Sequence, residues 1–423
     1  MLDQYRRELI RDGTRYFWAY SILAVEPVVL IPLLVSLLHP EEIGVLGSIE
    51  ALIVVLCGLS QLGVKFSYLQ YVADYGQEDR GKGFWTALLM TCVAGFIAGS
   101  LAALLLDSSP VSGLLGMVPG VHWAVLGSLM LATNLQMMLV TDLRAKRTPL
   151  PFAASSLVRV IAVALFVLNF TLRMESPIEA ILLAQLLGLG LSIAVLLVFG
   201  GMPKLAGFDT SLAHGFIGYG APIALGSLVK YGTDAMLPWL CLALVSPVAA
   251  GAMALALKAS SLFDTWFGWP FLMAWGGRVY HLAKEKTAAT LSRRLFAEIS
   301  LAVIVALLLS WLMSGMLLRA TSGEESLVSE ALVLLPLALV GRALFALRSP
   351  ASVGQVAARN MGWHFRYAVA GLIAFSVLGT LAFIKAGVVA GWLTFLCIEG
   401  VILTVIYQRG QKMLEKFRRE DEC

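Results

Sequence analysis

Charge is scarce in this chain. Asp, Glu, Lys and Arg make up 14% of its 423 residues, where soluble domains carry about 25%. That shortage excludes an ordinary water-facing globular surface. The net charge of +4 says little as a sum, and no nucleic-acid partner is expected. Cysteine is scarce too. Cys57, Cys92, Cys241, Cys397 and Cys423 are scattered, without Cys-x-x-Cys or Cys/His spacing, which excludes a disulfide framework and a recognisable metal centre. Catalytic signatures are missing: no nucleophile elbow, Walker motif, G-x-G-x-x-G before a helix or H-E-x-x-H. No cofactor, no nucleotide hydrolysis and no enzyme activity are therefore expected.

What the chain has is apolar length. Hydrophobic residues make up 59% of it, in long blocks. A run of about 20 apolar residues crosses a bilayer core as a helix. The runs predict an all-α polytopic membrane protein with twelve spans: Tyr16–Leu38, Val45–Val72, Gly83–Leu106, Gly120–Thr141, Leu150–Leu172, Pro177–Gly200, His214–Trp239, Pro247–Trp275, Leu295–Leu318, Leu327–Ala346, Phe365–Ile384 and Gly387–Tyr407. The last two are parted only by the short turn Lys385-Ala386-Gly387. The first run exceeds a signal h-region and has no A-x-A-like site after it, so it reads as a retained span. The longest connection, Gly276–Arg294, has the composition of an amphipathic surface helix.

Lys and Arg set the orientation. Alternate loops, counted from the N-terminal tail, hold 23 of the 31 basic residues; the other six loops hold Arg173, Arg319 and Lys385. Basic loops stay on the cytoplasmic side, which predicts both termini in the cytoplasm and an inner-membrane location. Internal symmetry is visible as well. His39-Pro40-Glu41-Glu42-Ile43-Gly44 and Ser246-Pro247-Val248-Ala249-Ala250-Gly251 both follow an odd-numbered span, 207 residues apart, with Pro and Gly four apart. This spacing predicts two six-helix halves, 1–205 and 206–423, around a central cavity.

The remaining five cations fall inside spans: Lys65, Arg159, Lys230, Lys258 and Arg342. So do the acids Glu26, Glu50, Asp234, Asp264 and Glu399. A charge at bilayer depth costs several kcal/mol and faces a wet cavity or a partner. Lys65 and Arg159 lie toward the cytoplasmic side, where snorkelling to headgroups competes with lining a cavity. Lys230 and Asp234 are one helical turn apart and either neutralise each other or act separately. Lys258, near the middle of span eight, is the leading cavity cation. Asp264 sits six residues on, about 120° away around the helix. Arg342 lies near the inner rim of span ten. Glu26 precedes Pro27, which removes a backbone hydrogen bond and bends the helix. A carboxylate beside such a bend either takes up a proton or Na⁺, or pairs with a cation from a neighbouring helix. Trp266, Trp269 and Pro270 read as an interface belt or as a sugar- or lipid-facing surface.

Several stretches together resemble the multidrug/oligosaccharidyl-lipid/polysaccharide (MOP) exporter superfamily, in particular its polysaccharide transporter (Wzx-type) flippases. They are Leu38-His39-Pro40-Glu41-Glu42-Ile43-Gly44 at the opening of span two, Gln61-Leu62-Gly63 with Tyr68-Leu69-Gln70-Tyr71 at its end, Gly218-Tyr219-Gly220-Ala221-Pro222-Ile223 in span seven, and Asp234 followed by Ser246–Gly251. Gln70 and Ala235 stand where that family often has a basic residue. The resemblance implies movement of an undecaprenyl-diphosphate-linked oligosaccharide across the inner membrane, with membrane lipids and polysaccharide polymerases as partners. A doubly charged diphosphate needs compensating cations shielded from lipid. Lys65, Arg159, Lys230, Lys258 and Arg342 are then the substrate-binding set, and Glu26, Asp234 and Asp264 the sites coupling transport to a proton or Na⁺. Two other expectations compete: a MATE-like drug/cation antiporter, which wants acids and aromatics in its cleft, and a membrane-embedded polyprenol-dependent glycosyltransferase or ligase.

Overall fold

A computed structural model of the chain describes residues 2–75, 80–107, 123–146, 148, 150–276, 288–321, 324–357 and 362–421. Every regular element among them is a helix. Nine helical stretches among the described residues are long and apolar enough to cross a bilayer. The last, Arg366–Lys416, holds two spans, because Gly387 breaks it at φ 79° and ψ −170°. Only glycine adopts that backbone without a Cβ clash, which is why the Lys385-Ala386-Gly387 turn was readable in the sequence. Spans seven and eight run through Thr210–Leu244 and through Pro247–Phe263 with its continuation, which brings the helices to the twelve expected.

We number the helices α1 (Leu2–Leu23), α2 (Val25–Leu37), α3 (Pro40–Ser60), α4 (Val64–Tyr75), α5 (Arg80–Asp107), α6 (Trp123–Lys146), α7 (Leu150–Thr171), α8 (Pro177–Gly200), α9 (Thr210–Leu244), α10 (Pro247–Phe263), α11 (Trp269–Gly276), α12 (Ala288–Ala320), α13 (Glu325–Ala351), α14 (Val353–Ala357), α15 (Gly362–Ala374) and α16 (Thr380–Asp421). Wide-turn π segments, Asp264–Gly268 and Phe375–Gly379, join α10 to α11 and α15 to α16.

Three spans differ from their simple reading. Span one starts as a helix at Leu2 and breaks at Ala24, just ahead of Glu26-Pro27. The proline ring excludes the carbonyl four residues back, so α1 ends at Leu23. Span two is not one rod from Val45 to Val72. It breaks at Gln61-Leu62-Gly63, where Leu62 (φ 46°) and Gly63 (φ 70°) are both left-handed. Span eight widens into the π segment at Asp264. The expected surface helix at Gly276–Arg294 falls mostly on residues 277–287, outside the described residues; from Ala288 onward the chain already belongs to α12.

By internal contacts the chain forms two compact units: Leu33–Ala254, and Met1–Pro32 with Leu255–Cys423. In the first, α5 packs on α6 and α7 on α8. Gly95, Gly99 and Gly127 let the α5–α6 pair close: a Cβ on Gly99 would stand 2.9 Å from the Gly127 Cα. The core near its basic end is built from Val64, Tyr68, Phe84, Met138, Leu143 and Leu196. In the second unit α12 packs on α13, and α13 on α16. Its outward face is plainly apolar: Leu301, Ile304, Leu308, Trp311, Leu312 and Met316 on α12 are all exposed. A surface of that kind is stable against lipid and not against water.

Helix starts follow from local chemistry. Pro40 opens α3, with the Glu42 carboxylate accepting from the His39 N–H at 2.9 Å. Asp209 caps α9, its Oδ1 accepting from the N–H of Ser211 (2.8 Å) and Leu212 (3.0 Å).

Candidate functional site

The first unit carries its polar groups in two layers. Near the basic end, Asp142 is 2% exposed and fully satisfied. The Tyr68 hydroxyl donates to its Oδ1 at 2.6 Å, Arg80 Nε lies 3.2 Å from the same oxygen, and Lys146 Nζ lies 2.9 Å from Oδ2. Lys146 also donates to the carbonyls of Gly200 (2.8 Å) and Gly201 (2.6 Å), at the end of α8. One carboxylate therefore ties together α4, α5 and α6, and through Lys146 reaches α8. A cation at the carbonyl end of a helix also meets the negative end of its dipole. Beside this cluster, Lys82 Nζ lies 2.6 Å from Asp209 Oδ2. The Lys82 ammonium, and next the Leu212 N–H, hold the Asp209 carboxyl below its usual range. A depressed carboxyl keeps its cap throughout the neutral range and loses it only as pH falls through the lowered value.

Deeper in the same unit, a second layer joins spans two to six. Gln185 Nε2 donates to Glu50 Oε1 at 2.9 Å. Gln136 Nε2 donates to Ser192 Oγ at 2.7 Å, and Arg159 Nη1 lies 3.5 Å from Gln136 Oε1. Asn134, fully buried, donates to Ser60 Oγ and to the Thr91 carbonyl, both at 2.9 Å. Buried polar groups that meet one another in this way hold helices in register where lipid offers no hydrogen bonds.

In the second unit Arg342 is the centre. Its Nε donates to Ser260 Oγ at 2.7 Å, its Nη2 donates to the Leu257 carbonyl at 2.8 Å, and its Nη1 pairs with Asp264 Oδ2. Arg348 pairs with Glu399 in the same unit.

The residues predicted from sequence are distributed as follows. Arg342 and Asp264, read separately as an anion ligand and an ion-coupling carboxylate, are bonded to each other. Lys258 is half-buried on α10, two residues before Ser260. Lys65 is half-buried just beyond the Gly63 break, with its Nζ 5.2 Å from the Phe66 ring centre. Arg159 belongs to the Gln136 layer. Glu26 is half-buried on the first turn of α2, and Pro27 beside it is buried. Lys230 and Asp234 lie on α9, with side chains outside the described residues. Sequence reasoning missed the Asp142 cluster; its one legible trace was the Asp142/Lys146 spacing of four at the end of a span.

Comparison with solved structures places this architecture. A mutant of the Vibrio cholerae MATE transporter VcmN matches with a TM-score of 0.69 at 14% identity, over 98% of both chains. The inward-facing form of a multidrug resistance MATE family transporter of the MOP superfamily matches at 0.68 and 13% identity, over 96% of both. A eukaryotic MATE transporter matches at 0.60 and 16%, over 99% of both. The chain has the MATE transporter fold. It is thus a multi-pass membrane protein of twelve spans in two halves. No protein-family model and no curated protein matches the sequence. At these identities the likeness is one of fold, and it does not single out the Wzx-type flippase.

Proposed function

We propose that the chain is a MATE-like secondary exporter. It exchanges an amphiphilic organic solute, drug-like cations included, for a proton or Na⁺, by alternating access of two six-helix halves, 1–205 and 206–423, around a cavity. The observation that carries this reading is the two-way match over nearly the full length of chains named as MATE transporters, one of them a multidrug resistance MATE family transporter. The half-buried carboxylate of Glu26, beside the break in the first span, supports a role in carrying the coupling ion. The Lys and Arg bias supports an inner-membrane location with both termini in the cytoplasm.

A second reading rests on a specific observation. Lys65, Arg159 and Lys258 are half-buried cations on membrane helices, as a lipid-linked oligosaccharide diphosphate would need. Under it the chain is a flippase for cell-surface polysaccharide, with a polysaccharide polymerase downstream. A glycosyltransferase or ligase gains no support from these three matches, each named as a transporter.

Two variants separate the readings in cells. Under the exporter reading, Glu26→Gln abolishes efflux of a fluorescent cationic dye, and Lys258→Ala leaves surface glycan normal. Under the flippase reading, dye efflux is absent from the start, and Lys258→Ala removes surface glycan while lipid-linked oligosaccharide accumulates inside.

A further inference from the structure

Arg342 and Asp264 are not equal partners. The guanidinium has two neutral anchors on α10, the Ser260 hydroxyl and the Leu257 carbonyl, three residues apart. Ser260 also donates to the Leu257 carbonyl at 2.8 Å, so the anchors brace each other. If the carboxylate left, these two bonds would still hold the arginine in place, with Nη1 pointing to where the carboxylate had been. Asp264, by contrast, is tied among the described residues by a single ion pair. It is also the first residue of the π segment, an irregularity that recurs at functional positions and changes helix register by one residue. Both side chains remain reachable, Arg342 at 25% and Asp264 at 21% exposure.

We infer that Arg342 is a seat for an oxyanion, the phosphate or carboxylate group of a transported amphiphile, and that Asp264 fills this seat as a stand-in until a ligand displaces it. The fork of a guanidinium matches two oxygens of a phosphate or carboxylate. Leaving an arginine unpaired at membrane depth is strongly unfavourable, so an empty seat needs an occupant. Exchange of the aspartate for a ligand oxyanion keeps the arginine paired throughout. The displaced carboxylate starts from a position already open to its surroundings.

The inference rests on the exporter reading for its cargo, but its test does not depend on transport. The full chain is placed in nanodiscs of zwitterionic lipid, and binding is measured for dodecyl phosphate, inorganic phosphate and neutral dodecyl maltoside. Asp264→Asn removes the competitor and is expected to tighten dodecyl phosphate binding about fivefold or more. Asp264→Glu retains a competing carboxylate and is expected to bind as weakly as the native chain. Arg342→Lys keeps the charge but loses the anchored fork, and is expected to weaken binding about tenfold. Binding of dodecyl maltoside is expected to be the same in all. Tightening toward dodecyl phosphate alone assigns the seat to a lipid-like headgroup; tightening toward both phosphates assigns it to free anions as well. If Asp264→Asn, with native helicity and unfolding midpoint, binds neither phosphate better than the native chain, the pair is only a tie between the π segment after α10 and α13, and the inference is wrong. If Asp264→Asn fails to fold, full affinity in Arg342→Lys overturns it equally. A chain that binds as expected yet moves no solute would keep this seat and lose the exporter reading.

Discussion

Replacing Asp142 with leucine is expected to destabilise the protein by about 3–5 kcal/mol, because it strips the shared carboxylate from two largely buried cations. Arg80 and Lys146 have side-chain exposures of 17% and 15%, so water does not take over the role of Asp142. Tyr68, fully buried, loses its 2.6 Å acceptor in the same step. Lys146 keeps the Gly200 and Gly201 carbonyls, which limits the damage on the α8 side. Asp142→Asn still accepts from Tyr68 but no longer balances charge, so it should fall between the native chain and Asp142→Leu. The contrast is Lys82→Gln. That lysine is 54% exposed, and removing a water-screened pair costs about 0–1 kcal/mol. Unfolding midpoints in detergent check the descending order native, Asp142→Asn, Asp142→Leu, with Lys82→Gln close to native. Equal losses at Asp142 and Lys82 would show that burial does not set the strength of these pairs.

Gly63→Ala is the second large effect, and it is steric. Gly63 has φ 70°, a backbone that costs a residue with a Cβ about 1–3 kcal/mol. The added carbon would also stand 2.0 Å from the Gly220 carbonyl oxygen and 2.7 Å from the Gly220 Cα. Neither is the flexible end of a side chain, so α9 itself must shift. Ser67 donates to the Phe216 carbonyl at 2.8 Å one turn away, and that bond is expected to break with the shift. The expected result is a large loss of folded protein after detergent extraction. Gly215→Ala serves as the opposite case: nothing lies within 4 Å of its new carbon, and helix propensity should stabilise it by about 0.5–1 kcal/mol. Folded yield by gel filtration and the unfolding midpoint read both. A Gly63→Ala protein as stable as Gly215→Ala would mean that α3, α4 and α9 do not approach as closely as described.

These effects mark where the sequence was legible and where it was not. Span number came from run length, because each span must satisfy its own backbone in lipid and leaves a long apolar run behind. Lys385-Ala386-Gly387 and Glu26-Pro27 announced their breaks, since Gly and Pro act through their own backbones. The break at Gln61-Leu62-Gly63 was hidden because Leu62 is apolar and the run continues across it. The π segment at Asp264 carries no compositional mark at all. Charges revealed their depth but not their direction. Arg342 counted as a free cation of span ten until the fold brought it to Asp264, 78 positions earlier. Asp142 fell just past the end of its predicted span and was never weighed as buried. Pairings between helices distant in sequence depend on how spans rotate against one another, and hydrophobic run length does not encode that rotation.

The central claim, that this fold moves an amphiphile against an ion gradient, is tested most directly in proteoliposomes of the purified chain. A fluorescent cationic amphiphile is placed outside, and a pH or Na⁺ gradient is imposed. The exporter account predicts gradient-driven uptake into inside-out protein well above empty vesicles, collapsing to their level in Glu26→Gln. Uptake equal to that of empty vesicles under both gradients would contradict it.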